Sequence, residues 1–368
     1  MRGIDRRLIQ NFEWPLFGVT LGLAAIGVIN LVSAASESQG WLPETATRQL
    51  YWLGIGLLGL LAALVPDYRS LRRLAMPAYL IGVGLLILVL IAGPIVNGSQ
   101  RWLVLGPLRL QPAELMKLSL VLLLARLLSR RENAAPLGLT ELLGPALLVA
   151  APAALVLRQP DLGTSMLLLL LAGSFLLIAP IRVATLLGLA AAGLAAAGGG
   201  WLFYLRDYQK ERVLTFLDPE RDPLGSAYHA IQSQIAVGSG GFLGKGFLQG
   251  SQSQFGFLPE QQTDFVFSVL AEEWGFVGAA LVLLLYLGLI VRGLMIARVS
   301  KDLFGACLAA GVTALFFWGA LVNIGMVLGI FPVVGVPLPL LSYGGSSLFT
   351  CLVGTGLLMN VSMRRYVF

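Results

Sequence analysis

The sequence predicts an all-α integral membrane protein, a polytopic bundle of about ten transmembrane helices with a large extracellular loop between spans seven and eight. Three observations predict it. The 368 residues are 57% hydrophobic and only 12% charged, whereas a soluble domain carries about 25% charged residues and could not hide so much apolar surface. The apolar residues form long runs, not the alternation at every second position that barrel strands would need. The basic residues collect in alternate connections between those runs, as they do in membrane proteins of fixed orientation. The whole chain, 1–368, reads as a single domain.

A span needs about 20 apolar residues. Ten segments qualify: 14–34, 50–66, 76–96, 113–129, 141–157, 162–180, 183–205, 265–292, 303–328 and 346–363. The segment 265–292 is longer than a span needs. Within 162–205 only Ala179-Pro-Ile-Arg182 marks a break. The N-terminus, Met1-Arg-Gly-Ile-Asp-Arg-Arg7, is basic and the run after it is full length without a clear cleavage site, so it reads as a retained first span. With the N-terminus inside, the inner connections hold Arg2, Arg6, Arg7, Arg69, Arg72, Arg73, Arg126, Arg130, Arg131, Arg182, Arg292, Arg298, Lys301, Arg364 and Arg365. Of the nine basic residues in the outer loops, five fall in one long loop, where the positive-inside rule has little force. Both termini are therefore expected in the cytoplasm.

Four outer features then carry the chemistry. Thr47-Arg48-Gln-Leu-Tyr-Trp52 puts an arginine just before span two, where it can snorkel to the headgroups or face a ligand. Asn97-Gly-Ser-Gln-Arg101-Trp-Leu-Val-Leu-Gly106 has the turn residues and alternation of a short hairpin. Pro112 suits a first helical turn, which sets Glu114 and Lys117 i,i+3 on one face as a pair. Lys117 lies about a turn inside an apolar run, where an unpaired charge costs about 3 kcal/mol. The pair is either an interfacial strut or part of a site. In Arg158-Gln-Pro-Asp161-Leu-Gly-Thr164, Asp161 stands where it would cap span six. Finally, 329–347 is apolar yet rich in Pro and Gly, and includes Ser342 and Tyr343. It is either a plain outer loop or a broken segment lining a cavity, since non-helical backbone at membrane depth needs protein or water beside it.

The long loop, about 206–264, exceeds what a connection needs and is expected to be functional. Its start, Arg206-Asp-Tyr-Gln-Lys-Glu-Arg-Val-Leu-Thr-Phe-Leu217, reads as an amphipathic helix lying on the membrane. Gly238-Ser-Gly-Gly-Phe-Leu-Gly-Lys245-Gly-Phe is glycine-rich with one lysine, a weak phosphate signal that does not match a nucleotide P-loop. The single histidine, His229, supports neither a metal site nor a triad, and Cys307 and Cys351 lie in separate apolar runs as small hydrophobes. The loop ends in Phe257-Leu-Pro-Glu-Gln-Gln-Thr-Asp264, with Asp264 where water should give way to membrane. Thr263 and Asp264 precede an apolar helical run, so capping alone would explain them.

Taken together, Arg101-Trp-Leu, Gln111-Pro-Ala-Glu114-Leu-Met-Lys117, Gln159-Pro-Asp-Leu-Gly-Thr164, Leu258-Pro-Glu-Gln-Gln-Thr-Asp264-Phe and Pro337-Leu-Pro-Leu-Leu-Ser-Tyr-Gly-Gly-Ser346 resemble the motifs of the SEDS family of cell-wall glycosyltransferases. The resemblance covers nearly the whole chain, from Arg48 to Arg365. Asp222-Pro-Leu-Gly and Gly244-Lys-Gly-Phe-Leu-Gln-Gly-Ser-Gln-Ser-Gln254 resemble the RodA branch more than the FtsW branch. Where the family often has His, two residues before the aspartate, this chain has Gln262. The resemblance implies a polymerase of lipid II, the undecaprenyl-pyrophosphate-linked muropeptide, working with a class B penicillin-binding protein transpeptidase in the elongation machinery of the bacterial inner membrane. No nucleic-acid partner is implied.

That reaction needs a base, positive charge for a pyrophosphate and an apolar entry for lipid. Asp264 is the expected base, since partial desolvation raises a carboxyl toward a useful pKa. Arg48, Arg101 and Lys117, with Lys245 a weaker candidate, are expected on the pyrophosphate, with Glu114 holding Lys117. Asp161, Ser342 and Tyr343 are counted with the substrate site. No cofactor is certain; a divalent cation, Mg²⁺ or Mn²⁺, would share the diphosphate charge. Glu272 and Glu273 are expected in packing or partner contact. The rival readings are a transporter or flippase of the same lipid, a division-type polymerase, and a scaffold without chemistry.

Overall fold

In hydrocarbon a backbone amide has no water to bond, so an apolar run must close its hydrogen bonds within itself as a helix. The computed structural model, which describes residues 10–35, 43–96, 98–106, 108–130, 136–203, 207–218, 222 and 227–365, has this form throughout. In chain order come α1 (Trp14–Ala34), α2 (Glu44–Leu64), α3 (Tyr68–Ala92), the strands β1 (Leu103–Leu105) and β2 (Leu108–Leu110), then α4 (Pro112–Ser129), α5 (Leu139–Arg158), α6 (Leu162–Ile178) and α7 (Val183–Phe203). After them follow α8 (Asp207–Leu217), α9 (Tyr228–Ser239), α10 (Ser251–Gln254), α11 (Val266–Val299), α12 (Leu303–Val327) and α13 (Gly345–Met363).

Each predicted span falls on a helix. Among the described residues, 8 helices are long and apolar enough to cross a membrane by length and composition. The other two predicted spans are α6, with 17 residues, and α4, whose Glu114, Lys117 and Arg126 lower its hydropathy. α2 and α3 begin earlier than their apolar runs, because polar turns continue the helix beyond the hydrocarbon. The break at 179–182 is real: Leu137 N donates to Pro180 O (2.8 Å) and Arg182 N to Leu137 O (3.2 Å), which pins the turn between α6 and α7. Arg2, Arg6, Arg7, Arg131 and most of the Asp222-Pro-Leu-Gly motif lie outside the described residues.

The hairpin forms, with Leu103 opposite Leu110 and Leu105 opposite Leu108; Val96 and Ser99 close a separate small turn ahead of it. Pro112 occupies the first turn of α4 as expected. The core is built by α4, α12 and α13, with α13 packed on α2 and α12 on α11. By contrast α7 is almost entirely exposed.

The Pro- and Gly-rich segment 329–344 is non-helical and lies inside the bundle, with Val336, Leu338, Leu340 and Leu341 buried. Its carbonyls are satisfied from neighbouring helices: Asn323 Nδ2 donates to Val336 O (2.7 Å), and the Tyr286 hydroxyl donates to Pro339 O. It runs so close to α6 that a Cβ on Gly163 would lie 2.4 Å from Val334 O. Backbone cannot yield there as a flexible side chain would. Gly163→Ala is therefore expected to destabilise the fold by about 1–3 kcal/mol, the usual cost of overpacking, seen as a lowered midpoint of thermal unfolding in detergent.

Candidate functional site

Asp264 lies in the turn that precedes α11. The helix takes Phe265 as its N-cap with no side-chain cap, so neither Thr263 nor Asp264 is spent on helix amides. The backbone around it is held from three sides. Asp264 N donates to Glu260 O (3.1 Å), Asn323 Nδ2 on α12 donates to Asp264 O (2.9 Å), and Ser342 Oγ donates to Thr263 O (2.5 Å). Tyr343 N adds a bond to Gln262 O (2.8 Å). No described donor bonds the Asp264 carboxylate, which faces a cavity of about 1070 Å³. Burial pushes its pKa from 3.8 up to about 6; Glu260 and Asp161 add to the rise, and Arg212 and Arg101 oppose it.

The same cavity brings together Arg48, Arg101, Glu114, Asp161 and Tyr343 from the expected set. Arg48 pairs with Glu44 (2.5 Å) at an exposed i,i+4 position, where such a pair is worth little and leaves the guanidinium reachable. Arg101 is fixed: Nη2 donates to Pro160 O (2.5 Å), Nε to Gln159 O (3.3 Å), and Nη1 lies 3.8 Å from Asp161. Asp161 does cap α6, accepting from Thr164 N (3.0 Å) and Thr164 Oγ1 (2.9 Å), and takes Gln111 Nε2 (3.2 Å) as well. Its oxygens are occupied, so at the wall it orients Arg101 and Gln111.

Glu114 and Lys117 pair at 2.7 Å, both buried, as the i,i+3 spacing predicts. Glu114 Oε2 has no partner among the described residues, and the residue borders the cavity. Lys117 borders instead a void of about 10 Å³ below it, with Pro337, Ser347 and Cys351, about enough for one water. Ser342 is not on the wall. It accepts from Leu338 N (2.8 Å) and holds the Asp264 turn from behind.

Lys245 is not at the cavity. It pairs with the buried Glu272 (2.6 Å), and the glycines around it serve close packing on α11, so the structure gives the glycine-rich stretch a role other than a phosphate cradle. Glu272 is in packing as expected. His229 lies 6.5 Å, ring to ring, from Phe265, and burial followed by Arg212 lowers its pKa, which keeps it neutral near pH 7.

Sequence reasoning missed Arg109, Gln111, Arg212 and Glu260, all on the cavity wall. Arg212 and Gln209 are i,i+3 on α8, and both face the cavity, so the helix read as lying on the membrane also covers the site. The spacing was a readable signal, but amphipathicity does not say what the polar face meets. Among the described residues no group of three or more His, Cys, Asp or Glu side chains could hold a metal ion.

The sequence matches the family described as "Cell cycle protein" (FtsW/RodA/SpoVE) over residues 14–367. It is 43% identical over 348 residues to the peptidoglycan glycosyltransferase MrdB of Escherichia coli K12, covering 94% of this chain and 92% of that one. To the peptidoglycan glycosyltransferase RodA of Treponema pallidum it is 33% identical, covering 98% and 99%. Among solved structures, one described as "Structural coordination of polymerization and crosslinking by a peptidoglycan synthase complex" superposes with a TM-score of 0.82 at 38% identity, covering 97% of this chain and 99% of that chain. The rod shape determining protein RodA of Thermus thermophilus gives 0.71 at 33% identity, covering 97% and 98%. This chain is a multi-pass membrane protein that belongs to the FtsW/RodA/SpoVE family.

Proposed function

We propose that this protein is a peptidoglycan glycosyltransferase that polymerises lipid II, with Asp264 as the base. The observation that carries the reading is the Asp264 carboxylate: it is uncommitted, half-buried, raised to a pKa of about 6 and set in a 1070 Å³ cavity with four arginines on its wall. The relatives named peptidoglycan glycosyltransferase support it. The O4 hydroxyl of one saccharide attacks the anomeric carbon of another; as the new C–O bond forms, the bond to the isoprenoid pyrophosphate breaks. Asp264 takes the hydroxyl proton, and the pyrophosphate leaves with the bonding pair. Developing oxocarbenium charge is stabilised by the same carboxylate.

Arg48 and Arg101 match the leaving diphosphate, because a guanidinium binds phosphate oxygens through paired N–H bonds; Arg109 and Arg212 add to the field. Glu260 beside Asp264 is the second carboxylate available to a divalent cation, which would share the diphosphate charge as Mg²⁺ does at phosphate sites. Ile55 and Trp52 on α2 give the cavity an apolar margin suited to a lipid chain. The partner we infer is a class B penicillin-binding protein, and the setting is elongation at the inner membrane with ten spans and both termini cytoplasmic.

The test is glycan synthesis from lipid II by the purified protein with its transpeptidase partner. Chains made by the wild type and lost in Asp264→Asn support the enzyme. Lipid II crossing vesicles with no polymer formed would sink it in favour of a flippase. Round cells on depletion support elongation, filaments a division role. Arg48→Ala is expected to raise KM for lipid II about 10–100-fold, the worth of a charge-assisted hydrogen bond, with unchanged thermal stability, because its ion pair with Glu44 is exposed.

A further inference from the structure

Gly275 breaks α11. Its φ of 65° and ψ of −162° suit glycine alone, and they divide the helix into a short half, 266–274, and a longer one, 276–299. The break removes the donors that Glu272 O and Glu273 O would ordinarily have, Phe276 N and Val277 N. The long loop replaces them on both sides. Lys245 N donates to Glu272 O (3.0 Å) and Gly246 N to Glu273 O (3.0 Å), while Phe276 N donates to Gly241 O (2.9 Å) and Val277 N to Phe242 O (3.2 Å). The approach is so close that a Cβ on Gly244 would lie 2.1 Å from Glu273 O.

An ion pair between half-exposed Lys245 and buried Glu272 crosses the same seam. Lys245 Nζ lies 2.6 Å from Glu272 Oε1 and 2.8 Å from Ser251 Oγ. The Glu272 carboxylate, fully buried, also accepts from Ser251 Oγ (3.2 Å), Gln252 N (2.9 Å) and Ser253 N (3.4 Å). Every one of these donors belongs to the loop. At the other end of the half-helix stands Asp264, roughly 12 Å away at 1.5 Å per residue. A tilt of roughly 5° about the seam therefore moves it by about 1 Å, a displacement that can cost about 10²-fold in rate.

We propose that Lys245 and Glu272 are positioning residues, a clamp by which the long loop sets the tilt of the half-helix that follows Asp264. Lys245 thus acts on the reaction through the fold and does not bind the diphosphate. The catalytic part of this inference rests on the reading of Asp264 as the base.

Steady-state polymerisation of lipid II by the complex with its partner, together with hydrogen exchange of the 266–274 amides, tests it. Lys245→Met strands the buried Glu272 charge. It is expected to lower kcat about 10–100-fold with KM unchanged and to speed exchange across 266–274. Lys245→Arg keeps the pair and should stay near wild type. The double variant Lys245→Met/Glu272→Gln removes the stranded charge and keeps acceptor oxygen for the Gln252 and Ser253 amides, so it should recover most of both readouts. A raised KM with kcat intact, and no recovery in the double variant, would make Lys245 a substrate ligand and overturn the clamp; so would a Lys245→Met protein with unaltered kcat and exchange. If Lys245→Met does not fold, Glu272→Gln alone decides: lower kcat at constant KM with faster exchange supports the clamp, and wild-type behaviour overturns it. A wild type that makes no glycan overturns the assignment of Asp264 instead, and the exchange data still decide the clamp.

Discussion

Asp264→Asn is expected to abolish glycan polymerisation, by about 10²–10⁴-fold in kcat, the usual share of a positioned base, while lipid II binding persists. The substitution keeps the shape of the side chain, and the turn is held through backbone atoms and its neighbours, so the scaffold should stay in place. In the wild type the base must be ionised. With its pKa near 6, the rate should fall about tenfold per pH unit below that value and level off above it. The residual rate of the Asn variant should lack this limb. A wild-type rate independent of pH between 5 and 7 would remove Asp264 from the role of base.

The same shift has a stability consequence of defined sign. The folded protein holds the Asp264 proton more tightly than the unfolded chain, whose ordinary value is 3.8. Stability from this group is therefore greatest below pH 3.8, declines as the pH rises toward about 6, and then stays level. Asp264→Asn removes the cost of ionising a partly buried carboxyl, so above pH 6 the inactive variant should unfold at a higher temperature than the wild type. An exchange of stability against activity of this kind is common at active sites.

Lys117→Met is expected to be strongly destabilising. It leaves Glu114 buried with neither oxygen paired, since Oε2 already lacks a partner. Breaking a buried pair in this way costs about 3–5 kcal/mol, whereas replacing both charges is often nearly neutral. The double variant Glu114→Gln/Lys117→Met should therefore regain most of the lost stability in thermal unfolding. If Lys117→Met instead unfolds like the wild type and only KM for lipid II rises, Lys117 is a ligand and its pairing with Glu114 is incidental.

The elements that could be read from sequence are those whose physics is local. An apolar run must be helical in hydrocarbon wherever its neighbours lie. Pro112 and the i,i+3 relation of Glu114 and Lys117 needed only helical geometry. Asp161 as a cap needed only its place before α6. The hairpin was also legible, though its register, Leu103 opposite Leu110, depends on partners that periodicity does not name. The failures were of the opposite kind. Lys245 looked like a cation for phosphate, and only the fold shows Glu272, 27 residues on, taking up its charge. Ser342 stood in a motif beside Tyr343, yet one faces the cavity and the other braces the turn behind it. Gln209 and Arg212 were assigned to the membrane surface because amphipathicity gives a face and not its neighbour.

Composition, hydropathy and spacing by themselves determined the membrane class and the helices, because transfer free energies and helix geometry act over a few turns of chain. Only the tertiary structure decided whether the Asp264 carboxylate is spent on capping. By sequence it was a capping residue or a base, and the two differ in whether the carboxylate is spent on amides. That depends on contacts between distant segments: Asn323, Ser342 and Tyr343 hold the turn by its backbone, Phe265 begins the helix, and the carboxylate is left to the cavity.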